Sequence, residues 1–268
     1  MKRIITLALL VLCMLNVQAQ CPLKNTAFQD GEKIGYELYF NWKFVWVKAG
    51  SAIFLTNKTV HKGQDAFRSY LITRTSKSLD NYFMMRDTLT GVFTTENVPL
   101  YYKKSAFEGK KYRKDEVWYD YSGGRVSLTQ RYQNPAGQVT SQKHTSDDCI
   151  YDMMSLMQRA RNMNVDDFKK GQKKYFKMAD GDDIDDVFVI YKGKETISMK
   201  SGNTKYKCLV FSFMETEGGK DKEIIRFFIT DDANHLPVRL DMNLKFGSAK
   251  AYMISSSGLK NPNTAKTK

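Results

Sequence analysis

Few of the side chains able to perform nucleophilic or acid–base chemistry stand in useful company. The three histidines are His61, His144 and His235, and no serine has the Gly-x-Ser-x-Gly spacing that presents a nucleophile on a sharp strand-to-helix turn. Cys149 near His144 is the best thiol–imidazole pair, because a thiolate needs a neighbouring base to form at neutral pH. Both fall where a loop runs into a helix, a place that suits a buried or disulfide-bonded cysteine better than a nucleophile. The acidic run from Asp180 to Asp186 offers carboxylate oxygens to calcium. It lacks the alternating ligands and closing glutamate of an EF-hand loop, so a hydrated turn between strands is the expectation. Without a converging acid, base and nucleophile, a metal ligand set or a cofactor motif, the sequence reads as non-catalytic, with a hydrolytic enzyme as the remote alternative.

Lys103, Lys104, Lys110, Lys111, Arg113 and Lys114 are interleaved with aromatics between Tyr101 and Lys114, a mixture that combines phosphate contacts with stacking surfaces. An exported chain is remote from nucleic acid, so lipid phosphate or an anionic envelope glycan is the expected partner of that patch, and an ordinary exposed strand pair is the plainer account. Export is read from the first residues: a basic Met1-Lys2-Arg3, an apolar stretch from Ile4 to Val17, and the small-residue cleavage signal Val17-Gln18-Ala19. Residues 1–19 are then a signal peptide, and the mature chain starts at Gln20 in the periplasm, with association to the outer membrane left open. Lipidation of Cys21 competes with this, although Gln20 stands where a lipoprotein signal wants a small residue. Net charge falls from +13 to +11 without Lys2 and Arg3, which speaks to solubility first and to anionic partners second. With Cys13 in the leader, Cys21, Cys149 and Cys208 remain. One disulfide can form in three ways, and Cys149 with Cys208 is preferred because Cys21 lies at a new, mobile terminus.

The elements that must hold these residues have strand period. In the stretch Tyr36 to Trp46, steps of two put Tyr36, Leu38, Phe40, Trp42, Phe44 and Trp46 on one side. The ribbon is expected to run on through Gly50, at a bulge or bend, to Leu55. Further strands follow, with turn signals at Gly63, Ser122-Gly123-Gly124, Gly202-Asn203 and Gly218-Gly219, and the cleanest alternation runs from Leu236 to Phe246. Residues 78–86 fit either a brief helix or an irregular link. One central helix is expected, with Ser146 as N-cap and Ile150, Met153, Met154, Met157 and Ala160 as its apolar stripe, ending near Asn162. Met153 and Met157 should be buried together against the sheet.

The fold class is therefore mostly β, a curved antiparallel sheet or barrel-like architecture with one docked central α-helix. Residues 20–258 form a single β-rich domain, or two halves, 20–145 and 146–258, sharing a continuous sheet. Residues 259–268 are expected as a disordered tail. A transmembrane barrel is weighed and set aside, because many strands carry lysines and a helix interrupts the middle.

Several segments in order resemble the domain of unknown function 3108 family. They are Gly31-Glu32 with Tyr36-Glu37-Leu38, Val47 to Ala52, Tyr151-Asp152-Met153-Met154 running to Arg159-Ala160-Arg161, Phe228 to Asp232 with Leu236-Pro237-Val238-Arg239, and Lys245-Phe246-Gly247. The resemblance spans most of the mature chain and implies an exported, mostly antiparallel β protein of the bacterial envelope. It carries no catalytic residues to transfer.

Two roles remain for such a chain. In the first, Phe40, Trp42, Phe44, Trp46, Met153 and Met157 line a concavity for a hydrophobic or lipid-like ligand, against the plain alternative that all are core. In the second, the protein is an envelope assembly or scaffolding partner acting through a strand edge or the basic patch. No cofactor is called for, and a monomer is expected.

Overall fold

The computed structural model describes residues 21–42, 45–200, 203–244 and 247–267; the expected leader, residues 1–19, lies outside them. The first half of the chain forms β1 (Glu32–Trp42), β2 (Val45–His61), β3 (Gln64–Thr75), a short helix α1 (Lys77–Asp80), β4 (Met85–Thr94), β5 (Pro99–Glu108), β6 (Lys111–Asp120), β7 (Val126–Gln133) and β8 (Val139–Ser146). The second forms β9 (Ile150–Tyr151), helix α2 (Met153–Arg161), β10 (Lys173–Asp180), β11 (Asp183–Ser198), β12 (Lys205–Glu217), β13 (Lys220–Thr230), β14 (Pro237–Asn243), β15 (Ser248–Ser257) and a two-residue β16 (Lys266–Thr267).

These strands make one nearly closed, barrel-shaped sheet in the order β8-β7-β6-β5-β4-β3-β2-β1-β15-β14-β13-β12-β11-β10-β9, with β16 added to β12. All neighbours are antiparallel except β9 and β10. The halves join where β1 pairs β15, Tyr36 facing Met253, so the sheet is continuous. Alternation builds the inner wall: Ile34, Tyr36 and Leu38 of β1 are buried, and so are Ala52 and Phe54 of β2. Curl comes from bulges between Gly35 and Tyr36, Leu38 and Tyr39, and Tyr191 and Gly193. Gly50, opposite Leu38, has no room for a side chain, since a Cβ there would meet Arg74 O at 2.1 Å.

The long ribbon expected from Tyr36 to Leu55 is two strands. The chain reverses between Trp42 and Val45, which face each other in the β1–β2 pair. A period of two continues in register across such a reversal only by chance, so alternation alone does not reveal the turn.

The connections alternate between two ends of the barrel, and one end is closed by α2. The helix is shorter than expected and starts later: Asp152, not Ser146, is its N-cap, accepting from the Met154 and Ser155 amides at 2.9 Å while Ser155 Oγ accepts from the Asp152 amide. Residues 150–151 are already committed to β9. Met154 is fully buried under Gly91, where an added Cβ would lie 2.5 Å from the Met154 Cβ. Gln158 Nε2 donates to Thr56 Oγ1 at 2.9 Å and to Ser69 Oγ at 3.1 Å. Arg161, 2% exposed, donates to both Glu32 oxygens, at 2.6 and 2.9 Å, and to Asn234 O. The deeply buried stripe is thus Met154, Gln158 and Arg161, and the expected pair Met153 and Met157 is only half-buried.

Segments near both ends of the described residues strap this closed end. Asn162 Oδ1 accepts from the Thr26 and Ala27 amides, Lys260 Nζ donates to Asn25 O, and Asn261 Nδ2 donates to Thr26 O. The tail expected as disordered is instead placed: Ala265 is 1% exposed, its carbonyl accepts from the Lys207 amide, and β16 pairs β12. A polar tail needs no apolar run to order when its backbone completes a sheet edge.

Candidate functional site: the open end of the barrel

Along β3 and β4 the inward-facing residues grow more exposed with distance from α2. Phe67 and Ser69 of β3 are buried while Leu71 and Thr73 are half-buried; Phe93 and Gly91 of β4 are buried while Leu89 and Asp87 are half-buried. These residues share one face, since Ser69 pairs Gly91, Leu71 pairs Leu89 and Thr73 pairs Asp87. On these two strands burial therefore falls off with distance from the helix end, while Ala106 of β5, which pairs Asp87, stays fully buried. Leu71, Leu89, Met85, Met153 and Met157 pack half-buried against the core. Leu71, Leu89 and Met85 give the end away from α2 its apolar wall, and Met153 and Met157 stand on the helix itself.

The wall also carries charge. Leu89 pairs Lys104, Lys104 pairs Asp115, and Ala106 pairs Asp87 on one side and Arg113 on the other. All lie on the face of buried Tyr102 and Val117. Burial pushes the Asp87 carboxyl up to about 6, helped by Glu108 and opposed by Lys104. Asp115 is raised for the same reason, against Lys104 and with the Asp180 charge adding to it. Three atoms of this wall are buried without a hydrogen-bond partner among the described residues: Asp115 Oδ1, Arg113 Nε and Gln130 Oε1. The other end of Gln130 spans the seam, its Nε2 donating to Gly181 O at 3.2 Å and Asp183 O at 2.9 Å, while Thr140 Oγ1 donates to Asp182. The acidic run is the β10–β11 turn, and what it does is tie the barrel's two edges together.

Period two divides the basic patch. Lys104 and Arg113 face the lumen, whereas Lys103 pairs Glu116 on the outer face, where Lys114 ion-pairs with Glu116 and Tyr101 packs on Trp118. Lys110 and Lys111 sit exposed at the β5–β6 turn. Six basic residues close in sequence thus serve three surfaces, and the single patch is not formed.

The aromatic lining divides as well. Phe40 is half-buried and pairs Ala249, next to the lumenal Ala251. Trp46 pairs Asn41 and lies under Lys250 Nζ, 4.5 Å from the ring centroid, on the face opposite Phe40. Phe44 and the side chain of Trp42 lie outside the described residues.

The disulfide joins Cys21 to Cys149, Cα atoms 6.2 Å apart, and not Cys149 to Cys208. Cys208 is buried near the start of β12, and burial pushes its thiol up to about 12. Cys21 is held rather than mobile, because Arg159 Nη1 donates to its carbonyl at 2.7 Å and the Leu23 amide donates to Glu96 O. The bond removes Cys149 as a nucleophile, and it occupies the sulfur that a lipid at Cys21 would need. His144 lies inward on β8 beside Leu128, its Nε2 buried without a partner among the described residues.

A family model, Protein of unknown function (DUF3108), matches residues 35–254. The chain belongs to the DUF3108 family. No curated protein matches it. Among solved structures, the DUF3108 chain is similar to the beta-barrel-like protein of domain of unknown function DUF1849 from Brucella abortus, with a TM-score of 0.52 at 10% identity over 86% of this chain and 98% of that one. A Bacteroides fragilis protein with a YmcC-like fold, provisionally classed as exported, aligns with a TM-score of 0.35 at 8% identity over 88% of this chain and 100% of that one. The first likeness extends to the fold.

In this DUF3108 chain the sequence does not mark Asp87, Asp115 and Gln130 as lumenal residues. Each is an isolated polar residue in a strand, and only the alternation of Tyr102, Lys104 and Ala106 with their partners could have placed them inside.

Proposed function

We propose that this protein is an exported, periplasmic, non-catalytic component of the envelope that holds a hydrophobic, lipid-like molecule in the open end of its barrel. The observation carrying this reading is the loss of burial from Ser69 and Gly91 to Leu71 and Leu89 on one inward face, which leaves apolar wall accessible where a core would have covered it. The polar groups on the same wall, Asp87, Lys104, Arg113 and Asp115, suit the head of an amphiphile whose chain lies against Leu71, Leu89 and Met157. Export is supported by the leader sequence and by the Cys21–Cys149 disulfide, which persists in an oxidising compartment. The non-catalytic reading is supported by the loss of Cys149, the thiol closest in sequence to a histidine, to that bond.

Native mass spectrometry of the purified protein with organic extraction, together with uptake of an environment-sensitive dye, tests this. Leu89→Trp, which fills the opening, is expected to cut dye uptake by about tenfold or more while leaving the fold intact. No extractable lipid together with dye uptake indifferent to Leu89→Trp would sink the lumen as a binding chamber. A second reading, an assembly partner, is favoured by β8, whose residues Val139–Lys143 lie exposed at an edge of the sheet with backbone groups free to pair another strand.

A further inference from the structure

The connections at the open end follow one another around the mouth in the order of the sheet: β7–β8, β5–β6, β3–β4, β1–β2, β14–β15, β12–β13 and β10–β11. The first five each carry an exposed apolar side chain at or beside the turn. They are Val139 (49% exposed), Tyr112 (38%), Tyr82 (83%) with Phe83 (52%), Val45 (61%) and Leu244 (46%). Exposed Lys110 and Lys111 share the β5–β6 turn with Tyr112, and exposed Lys77 precedes Tyr82. The last two connections differ. They carry Glu217, Lys220, Asp182 and Asp183, and the β12–β13 hairpin pairs its charges with neighbours, Lys222 with Glu217 and Lys173 with Asp221. Isolated exposed apolar residues need no explanation, but an unbroken arc of them around one opening does. The large exposed hydrophobics elsewhere, such as Val60 and Ile254, stand on strands and make no such arc.

We propose that this arc docks the mouth of the barrel on an anionic lipid surface. Tyrosine and phenylalanine side chains with apolar bodies seat at the headgroup level, and flanking lysines meet lipid phosphates. The chemistry of the arc matches on both counts, and the net charge of +11 expected of the mature chain adds attraction from a distance. The acidic sector at β10–β13 faces away from such a surface, so the barrel sits tilted, its arc down. The proposal deepens the lumen reading, since an amphiphile entering between lipid and wall would never cross water. Docking is nevertheless measurable without it.

The experiment is co-sedimentation of the purified protein with vesicles of phosphatidylcholine alone or mixed with phosphatidylglycerol. Binding is expected to the mixed vesicles and to weaken with salt. It should fall at least about tenfold in Tyr82→Ser/Phe83→Ser and in Lys110→Glu/Lys111→Glu, and stay unchanged in Val60→Ser and Ile254→Ser. All of these positions are exposed, so each variant is expected to keep the parent's melting temperature. Equal binding by arc and control variants, or equal binding to both kinds of vesicle, overturns the proposal. So does a result in which the arc substitutions leave sedimentation unchanged and remove a protein cross-link in intact cells, which would assign the arc to a protein partner. Dye uptake by the same variants separates the two ideas: it is expected to persist when docking is lost, and its absence in the parent counts against the lumen alone.

Discussion

Asp152 caps α2 and is also a fully buried carboxyl, with the Tyr119 hydroxyl donating to it at 3.4 Å. Burial pushes its pKa up to about 6 despite the donations from Ser155 and Met154 that favour the charged form. A carboxyl raised in this way is held protonated longer by the folded chain than by the unfolded one. Its stabilising contribution is fully present below about pH 4 and is lost as pH rises through 6. Asp87, also pushed up to about 6, acts with the same sign. Asp152→Asn, which keeps an acceptor oxygen at the cap, should flatten the slope between pH 4 and 7 by on the order of 2–3 kcal/mol relative to the parent. Urea melts across that window measure it, and identical slopes in the two proteins would remove Asp152 as their source. The sequence does not show this burial: with Ser146 as the expected cap, Asp152 falls inside the expected helix, and its burial depends on β4 and β6, which arrive from elsewhere in the chain.

At the scale of elements, α2 shows how far a sequence can be read. Its existence follows from period and composition, but of the expected stripe Ile150, Met153, Met154, Met157 and Ala160 only Ile150 and Met154 are fully buried. Three of the five buried helix positions are polar, Ser155, Gln158 and Arg161, and hydrophobicity cannot find a face whose partners include Thr56, Ser69 and Glu32. Met154→Lys should therefore unfold the protein or expel the helix, while Met157→Lys, at a half-buried position, should cost about 1 kcal/mol or less. Thermal melts of the two variants side by side decide it, and a larger loss for Met157→Lys would show that the faces are misassigned. The Arg161–Glu32 pair gives a sharper test. Arg161→Met alone leaves a buried carboxylate uncompensated and should cost roughly 3–5 kcal/mol, whereas Arg161→Met/Glu32→Leu should cost less than the single change. A double variant no more stable than the single one would mean that Glu32 finds another partner.

Over the whole molecule, the alternating strands, most of the turns and the barrel class were legible, because period two and glycine-marked reversals are local signals. Which strands close the sheet and which end stays open were not, since both depend on pairings between distant segments such as β1 with β15. The disulfide belongs to this class: only the fold brings Cys21, at the start of the described chain, against Cys149 before α2. It closes a separation of 128 residues, so chain entropy alone suggests about 4–5 kcal/mol of stabilisation as an upper figure. Reduction, or Cys21→Ser/Cys149→Ser, should lower the melting temperature markedly and leave Cys208 unreactive toward iodoacetamide until unfolding. Alkylation of Cys208 in the native protein would contradict its place in β12. The straps from Asn25 to Ala27 and from Lys260 to Ala265 place both ends of the described chain at the closed end. A tether, tag or solid support attached through either end would grip the barrel by its base and leave the mouth pointing outward at roughly the length of a ten-residue strand, about 30 Å away. Immobilised this way, the protein presents its arc and lumen together to whatever is flowed past, and a label carried at Lys77 reports on the mouth while one at residue 21 reports on the anchor.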